Sequence, residues 1–190
     1  MRWLTSDHHF FHRRLNDVYC QATRGFTSVE EMNAQLIARW NESISPDDEV
    51  LVVGDVFVTR RASLEERVGI LGMLHGRKTL IRGNHDEDLR PFTLAGWSIV
   101  DHIWMERDRV LVIHKGPDPQ YGREELRLVG ELNPLLTIHG HDHRHDVPDK
   151  PDCLNVCVDR WDLRPVPWTV VEEHLRTAHG LTPDSPQQEG

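Results

Sequence analysis

Short apolar segments that each end in a cluster of polar residues constrain the fold of this chain more than any other feature. Each segment has the length and apolar character of a strand, and a polar cluster follows it directly. The clusters are Asp7-His8-His9, Gly54-Asp55, Gly83-Asn84-His85, His114 and Gly140-His141-Asp142-His143. Because ligands bind outside the carboxyl ends of the strands in an open α/β sheet, these clusters are expected to meet at one edge of the sheet.

Two amphipathic stretches separate the first three predicted strands. Residues 29–44 and 63–74 have the periodicity of helices, and each has a Ser at its start followed by Glu three residues later, which is typical of a capping box. The strands predicted around them cover residues 3–5, 49–53 and 79–82. This β-α-β-α-β order predicts a mainly parallel sheet with helices on its faces.

The second half of the chain is richer in predicted strands. The extended segments predicted there cover residues 97–105, 109–114, 135–139, 154–159 and 166–171. The polar stretch 115–133 is expected to form a loop with a short helix, and the Pro- and Asp-rich stretch 146–152 a turn. We expect one domain over residues 1–175, followed by a flexible tail over residues 176–190.

Composition narrows the classes of function. The net charge of −9, from 22 Lys and Arg against 31 Asp and Glu, argues against a broad basic surface for nucleic acid. Three cysteines without a signal-peptide pattern predict a reducing compartment, the cytoplasm. No apolar run approaches the roughly 20 residues that a membrane-spanning helix needs, so no membrane association is expected.

The residue types in the polar clusters suit divalent metal ions, and the chain contains 13 histidines. Carboxylate, imidazole and amide oxygen are ligands for hard-to-borderline cations. Asp7 and His9 are two residues apart, as are His141 and His143, so each pair points to one side of an extended segment. Since these ligands are all oxygen or nitrogen, Mn²⁺ is the favoured ion, with Fe, Zn, Ni or Co as alternatives.

In order and content, the five clusters resemble the sequence blocks of the calcineurin-like metallophosphoesterases. The resemblance spans roughly residues 1–171. The segment 10–41, which contains Arg24-Gly25-Phe26 and Trp40-Asn41, further resembles a small prokaryotic and phage branch of single-domain members. The resemblance implies an α/β fold built as a β-sandwich with flanking helices, with the active site at the carboxyl ends of the strands.

The resemblance also implies a set of ligands for two divalent cations. The residues implied for the first cation are Asp7, His9, Asp55 and His143. Those implied for the second are Asp55, Asn84, His114 and His141. Asp55 is therefore implied as the bridge between the cations, and a hydroxide that both of them hold would attack phosphorus.

Four residues outside the ligand set are further candidates. The resemblance implies that His85 is catalytic and not a ligand, and that it stabilises the developing charge or protonates the leaving group. Asp86 is expected to orient His85 through a ring nitrogen. His12 and Arg24 are candidates for contact with the substrate phosphate.

One departure from the family pattern bears on the substrate. Many members continue after the bridging Asp in a Gly-Asp-x-x-Asp-Arg-Gly block. Here the run is Gly54-Asp55-Val56-Phe57-Val58-Thr59-Arg60, which argues against a protein phosphatase.

The favoured function is hydrolysis of a phosphodiester bond, in a nucleotide or a cyclic nucleotide. The reason is that the sequence shows no additional cationic pocket for a dianionic monoester. A phosphomonoesterase and a nuclease acting on DNA or RNA ends are alternatives, although the negative net charge argues against long nucleic acid. A non-catalytic metal-binding scaffold would be expected to have lost ligands or the catalytic histidine, and all of these residues are present.

Overall fold

The computed structural model describes residues 1–13, 24–58, 62–120, 123–144 and 150–179. Cys20, Thr59, Arg60 and residues 146–149 of the predicted turn lie outside these ranges, as do residues 180–190 of the predicted tail.

The strands form two sheets. The first contains β1 (Arg2–Thr5), β2 (Glu49–Val52), β3 (Arg77–Ile81), β4 (Ser98–Val100) and, from near the end of the chain, the strand Val166–Pro167. The second contains β5 (Ile103–Met105), β6 (Val110–Lys115), β7 (Leu136–Gly140) and β8 (Cys153–Asn155), and Val166–Pro167 is therefore β9.

Most of the strand pairs are parallel. The first sheet has the order β4-β3-β2-β1-β9, in which only the pair of β1 and β9 is antiparallel. The second has the order β5-β6-β7-β8, in which only the pair of β5 and β6 is antiparallel. The carboxyl ends of the parallel strands therefore lie at one edge of each sheet.

The two sheets pack face to face, and helices cover the outer face of the first one. Leu4 and Ile81 of the first sheet share a buried apolar cluster with Val112 and Ile138 of the second. Leu36 and Leu71, from helices, belong to another cluster with Val52. The predicted α/β sandwich with flanking helices is confirmed.

Five α-helices lie in the described ranges. They are α1 (Val29–Ser43), α2 (Leu64–Met73), α3 (Arg90–Leu94), α4 (Arg123–Leu132) and α5 (Trp168–His179). None of them is long and apolar enough to cross a membrane.

The predicted N-caps start the first two helices. Ser63 forms a complete capping box with Glu66, because its hydroxyl accepts from the Glu66 N–H at 3.1 Å and its own N–H donates to the Glu66 carboxylate at 2.7 Å. Ser28 accepts from the Glu31 N–H at 3.0 Å, but the Glu31 carboxylate turns to the N–H and hydroxyl of Thr27. A side-chain oxygen therefore satisfies an otherwise unpaired N–H at each helix start.

Three predicted strands differ from the structure. Residues 97–105 form two strands in different sheets, because the chain crosses between the sheets at Asp101 and His102. The strand predicted at 154–159 ends at Asn155 and is followed by a 3₁₀ turn over Val158–Arg160. The extended segment predicted at 166–171 is wrong beyond Pro167, since α5 begins at Trp168 and buries Val171 in the core between the sheets.

Two helices were not predicted as such. The short α3 places Pro91 in its first turn and buries Phe92, and neither residue has a helical apolar pattern around it. The second is α5, where the sequence predicted a strand followed by the end of the domain. This helix continues to His179, past residue 175, at which the domain was predicted to end.

Candidate metal site

Six of the seven ligands implied by the sequence form two neighbouring groups. The first cluster consists of Asp7, His9 and His143, and the second cluster consists of Asp55, His114 and His141. Within each cluster, one nitrogen or oxygen atom of every residue lies within 4.8 Å of the others. The seventh residue, Asn84, has its Oδ1 3.1 Å from His114 Nε2, so it joins the second cluster.

The Asp55 carboxylate of the second cluster also faces the first cluster. Its Oδ2 is 3.3 Å from Nε2 of His114 in the second cluster. The same oxygen is 3.8 Å from Nε2 of His9 in the first cluster. The Asp55 side chain is 2% exposed, so the protein encloses this oxygen on most sides.

The backbone that presents these side chains is strained. Asp7, His9, Asp55 and His141 have φ angles of 60°, 53°, 54° and 68°, in the left-handed region that residues with a Cβ rarely adopt. Such strain costs about 1–3 kcal/mol per residue and persists only where the surroundings impose it. Four of the seven candidate ligands are therefore held in place at a cost in stability.

Hydrogen bonds between the loops after β1 and β2 hold this strained backbone. The N–H of Asp7 donates to the Gly54 carbonyl at 3.0 Å, and the N–H of His9 donates to the Asp55 carbonyl at 3.2 Å. The N–H of His141 donates to Oδ2 of Asp7 at 2.9 Å and joins a third loop to the same group.

Two glycines allow the loops to approach this closely. A Cβ on Gly54 would lie 2.6 Å from the Cα of Gly83, and a Cβ on Gly83 would overlap the Asp55 carboxylate. Real Cβ atoms do not come so close to other atoms, so any side chain at either position would push the second cluster apart.

The ring nitrogens of two histidines are fixed by groups behind the clusters. Nδ1 of His114 lies 2.8 Å from the Val53 carbonyl, which can only accept, so Nδ1 carries the proton. Nδ1 of His143 lies 2.5 Å from the Asp159 carboxylate. In both residues Nε2 faces the cluster, an orientation that suits a metal ligand.

Charges within the clusters change the pKa values of their members. Burial raises the pKa of Asp7 and Asp55, but interactions with the imidazoles of His143 and His114 outweigh it and hold both pKa values well below the usual range. Burial lowers the pKa of His114 and His143, but the neighbouring carboxylates outweigh it and raise both pKa values to about 9. In the metal-free protein at neutral pH, two cationic imidazoles therefore balance the two carboxylates.

His9 and His141 are neutral at the same pH. Burial is the main cause that lowers the pKa of each to about 4. A neutral imidazole can bind a cation without first losing a proton.

The first cluster also contains an oxygen that fits a cation. Asp7 Oδ1 is buried and accepts no hydrogen bond within the part of the chain that the structure describes. It lies 3.6 Å from Nε2 of His143 and 3.8 Å from Nε2 of His9. Buried polar atoms are normally paired, so a carboxylate oxygen facing two imidazoles fits an ion-binding position.

His85 lies beside the clusters at the surface. Its side chain is 44% exposed and its Nε2 is 3.9 Å from Oδ2 of Asp55. The His85 N–H donates to Oδ1 of Asp55 at 2.9 Å, which fixes the start of the side chain next to the site. His85 is therefore within reach of a molecule held at the two clusters.

The expectation that Asp86 orients His85 is wrong. The buried Asp86 carboxylate accepts from the backbone N–H groups of Asp55, Val56 and Gly83, at 2.8, 3.2 and 3.0 Å. It holds the turn that presents Asp55. Burial, together with the charge of Asp55, raises the pKa of Asp86 to about 6.

The expectation that Arg24 contacts the substrate phosphate is also wrong. The Arg24 side chain is 3% exposed, and its donors are taken up by Asp159 and by the carbonyls of Asp7 and His8. His12 is buried, with its ring centre 5.7 Å from that of His9. It lies next to the first cluster and not on an open surface.

Sequence reasoning missed Asp159, which contacts both His143 and Arg24. A signal for it was present, because Asp159 is the polar residue that ends an apolar segment, as in the five clusters. His8, in contrast, is a core residue, since it is buried and its ring stacks on Phe10 with centres 5.6 Å apart.

Comparison with known proteins identifies the family. The family model described as calcineurin-like phosphoesterase matches residues 2–177, nearly the whole chain. The chain belongs to the calcineurin-like phosphoesterases. The resemblance in the five clusters is thus confirmed at the level of the family.

Similar proteins agree with this membership. An uncharacterized protein of Methanocaldococcus jannaschii is 31% identical over 170 residues, which cover 86% of this phosphoesterase and 85% of the relative. The gene 66 protein of Mycobacterium phage L5 is 32% identical over 120 residues, 63% of this chain and 56% of the relative. A solved structure of a protein of unknown function from Aquifex aeolicus has a TM-score of 0.72 and 24% identity, and covers 91% of this chain and 98% of that one. This last likeness shows the fold.

Proposed function

We propose that this calcineurin-like phosphoesterase hydrolyses phosphodiester bonds with two divalent cations, one at each cluster. The observation that carries the proposal is the position of Asp55, whose Oδ2 faces His9 of the first cluster and His114 of the second. A carboxylate in that place can bridge two ions. When bound, a pair of divalent cations activates water as a nucleophile and neutralises charge on the phosphate oxygens.

The chain supplies the rest of the chemistry through fixed side chains. Asp7, His9 and His143 would hold one ion with Asp55, while Asn84, His114 and His141 would hold the other with Asp55. Two carboxylates against two divalent ions leave a net charge of about +2 at the site, which favours an anionic substrate on an acidic protein.

His85 is proposed as the catalytic residue outside the ligand set. Its half-exposed ring lies on the open side of Asp55, where a phosphate held at the clusters would be. There Nε2 can donate a hydrogen bond to a phosphate oxygen as charge develops, or a proton to the leaving group.

A cavity beside the second cluster supports a diester with a sizeable second ester group. It has a volume of about 420 Å³ and is lined by Asn84 and His114 on the cluster side, and by Lys115, Glu124 and Leu128. Pockets for small ligands have volumes of roughly 300–1,000 Å³. A nucleoside attached to the scissile phosphate would fit this size, and its polar groups would meet both charged and aliphatic side chains.

Mn²⁺ is the proposed ion, because all seven ligands are nitrogen or oxygen. Zinc or nickel binds such ligands more tightly and can replace Mn²⁺ in purified protein, and iron and cobalt are also compatible. We also propose a cytoplasmic location, which the free thiols of Cys153 and Cys157 support.

Hydrolysis of an aryl phosphodiester and of the matching monoester by metal-stripped protein, with Mn²⁺ added back, tests the proposal. We expect Mn²⁺-dependent turnover of the diester. His85→Ala should lower kcat by about 10²–10⁴-fold, the usual contribution of a general acid or base. Asn84→Ala should weaken binding of the second ion. His174→Ala, on the outer helix α5, is the matched histidine control and should leave both quantities unchanged.

Other outcomes of this assay distinguish the alternatives. Preference for the monoester would mean a phosphomonoesterase at the same site. Turnover of DNA or RNA ends without turnover of nucleotide diesters would mean a nuclease. Two bound ions without any turnover would contradict an enzyme and indicate a metal-binding scaffold.

A further inference from the structure

Arg24 and Asp159 form a buried ion pair directly behind the first cluster. Nε and Nη2 of Arg24 lie 2.7 and 2.8 Å from Oδ1 and Oδ2 of Asp159, a two-point contact between guanidinium and carboxylate. The side chains are 3% and 9% exposed. A buried ion pair is weak ground for stability, because the loss of solvation offsets its Coulomb energy. The position of this pair therefore calls for another role.

The Asp159 end of the pair holds one member of the first cluster. Asp159 Oδ2 lies 2.5 Å from Nδ1 of His143, which directs the opposite nitrogen, Nε2, towards Asp7. A carboxylate behind a metal-binding histidine fixes both the tautomer and the orientation of the ring.

The Arg24 end holds a second member through the backbone. Nη2 of Arg24 donates to the Asp7 carbonyl at 2.7 Å, and Nη1 donates to the His8 carbonyl at 2.6 Å. Asp7 and His9 on either side have positive φ angles, so these bonds hold a stretch of backbone that would otherwise relax. Only a guanidinium, with its planar fork of donors, can reach these acceptors together.

We infer that Arg24 and Asp159 are positioning residues that fix the geometry of the first cluster for its cation. The inference rests on the proposed metal-dependent function. Because the pair has no net charge, its effect is on the orientation of Asp7 and His143. The pair should therefore influence the ion at the first cluster and leave the ion at the second cluster unaffected.

Calorimetric titration of metal-stripped protein with Mn²⁺ tests this inference without relying on activity. Arg24→Lys keeps the charge but loses the fork, and Asp159→Asn keeps the shape but loses the carboxylate. Each should weaken Mn²⁺ binding at the first cluster by about 10–100-fold, the usual effect of losing a residue that hydrogen-bonds to a metal ligand. The Mn²⁺ affinity of the second cluster should stay within about threefold of the wild-type value. The same variants in a His141→Ala background, where the second cluster is impaired, assign the change to the first cluster.

A second Arg–Asp pair, in which Arg67 is buried and Asp88 is partly exposed, provides the control. Arg67 donates to Asp88 at 2.9 Å and belongs to neither cluster, so Arg67→Lys measures the general effect of replacing a buried arginine of an ion pair by lysine. Circular dichroism establishes that each stripped variant is folded. Asp159→Glu, in which the carboxylate moves by one methylene, replaces Asp159→Asn if the latter does not fold.

Unchanged binding at the first cluster in the Arg24 and Asp159 variants would overturn the inference. So would an equal loss in Arg67→Lys. A failure of the proposed function is distinguishable, because then the wild-type protein itself would bind no pair of ions or would not hydrolyse the diester.

Discussion

A single carboxylate, that of Asp86, joins the turns that carry Asp55 and Gly83. It accepts three backbone hydrogen bonds, two at Oδ2 and one at Oδ1, and all three need an acceptor at this position. Asp86→Asn would direct an amide NH₂ at one of these N–H groups. We expect a loss of about 1–3 kcal/mol in the free energy of unfolding, the cost of an unpaired buried donor, and weaker Mn²⁺ binding at both clusters.

Urea unfolding and Mn²⁺ titration of metal-stripped Asp86→Asn measure these two effects. Asp118→Asn, an exposed carboxylate that contacts Gln120, is the control. If Asp86→Asn were as stable as wild type, bound metal equally well and changed only the pH profile of turnover, Asp86 would act on His85 instead.

The raised pKa values of His114 and His143 predict a dependence of stability on pH. Both rise from 6.5 to about 9 on folding of the metal-free protein. Their contribution to stability is fully present below pH 6.5 and is lost as the pH rises towards 9. Urea unfolding of stripped protein should therefore give a lower free energy at pH 9 than at pH 6.5.

Metal binding should show the opposite trend over the same range. The cation competes with the protons on His114 and His143, so Mn²⁺ affinity should rise between pH 6.5 and 9. Calorimetry in buffers of different ionisation enthalpy should detect the released protons. A stripped protein of constant stability, together with an affinity independent of pH, would contradict the cationic state of these two imidazoles.

At the residue scale, the pattern of strand ends in the sequence indicates the side chains of the two clusters, but it does not indicate the residues that position them. Asp7 and His9, like His141 and His143, stand at strand ends in a recognisable order. Asp86 and Arg24 bind backbone groups, some of them distant in sequence, and no pattern of side chains encodes such contacts. Their roles became clear only from the structure.

At the scale of elements, close contact between the loops after β2 and β3 depends on Gly83. A Cβ there would lie 2.5 Å from the Asp55 nitrogen and would overlap its carboxylate. We expect Gly83→Ala to lower the free energy of unfolding by about 1–3 kcal/mol, as overpacking does, and to weaken Mn²⁺ binding at the second cluster.

Gly69→Ala is the matched control, since a Cβ at this position in α2 meets no atom within 4 Å. It should raise stability by about 0.5–1 kcal/mol, because alanine favours a helix over glycine, and leave metal binding unchanged. Thermal unfolding measures the stability of each variant, and calorimetry measures its affinity for Mn²⁺. Equal metal affinity in the two variants would show that the loops can separate without disturbing Asp55.

The elements that the sequence predicted well have strong local signals. The helices α1 and α2 combine a helical apolar stripe with a serine cap. The helix α5 lacks a comparable signal, because Thr169, Val170 and Val171 are β-branched and favour strands when considered alone. Packing of Val171 between the sheets overrides that local preference.

At the scale of the whole molecule, the candidate site spans both sheets. The first sheet leads into Asp7, His9, Asp55 and Asn84, whereas the second carries or leads into His114, His141 and His143. The assignment of strands to two sheets was not evident from the sequence, because β4 and β5 are almost continuous and the crossover between them is short. The apolar core between the sheets therefore sets the distances between ligands.

A comparison of two core substitutions tests this dependence. Ile138 lies in the core between the sheets, whereas Leu71, in α2, lies in the core between the helices and the first sheet. Both are fully buried. Each change to alanine should cost about 2–5 kcal/mol. Ile138→Ala should also weaken Mn²⁺ binding, while Leu71→Ala should leave it close to wild type. A loss of affinity that follows stability alone, equal in both variants, would contradict the role of the core between the sheets.

In the proposed function, Asp55 joins two cations at the meeting point of the sheets. An anomalous difference map from crystals soaked in Mn²⁺ tests it most directly. We expect two peaks about 3.5–4 Å apart, the usual spacing in two-metal sites, with the Asp55 carboxylate in contact with both. A single peak, or two peaks that do not share Asp55, would contradict it.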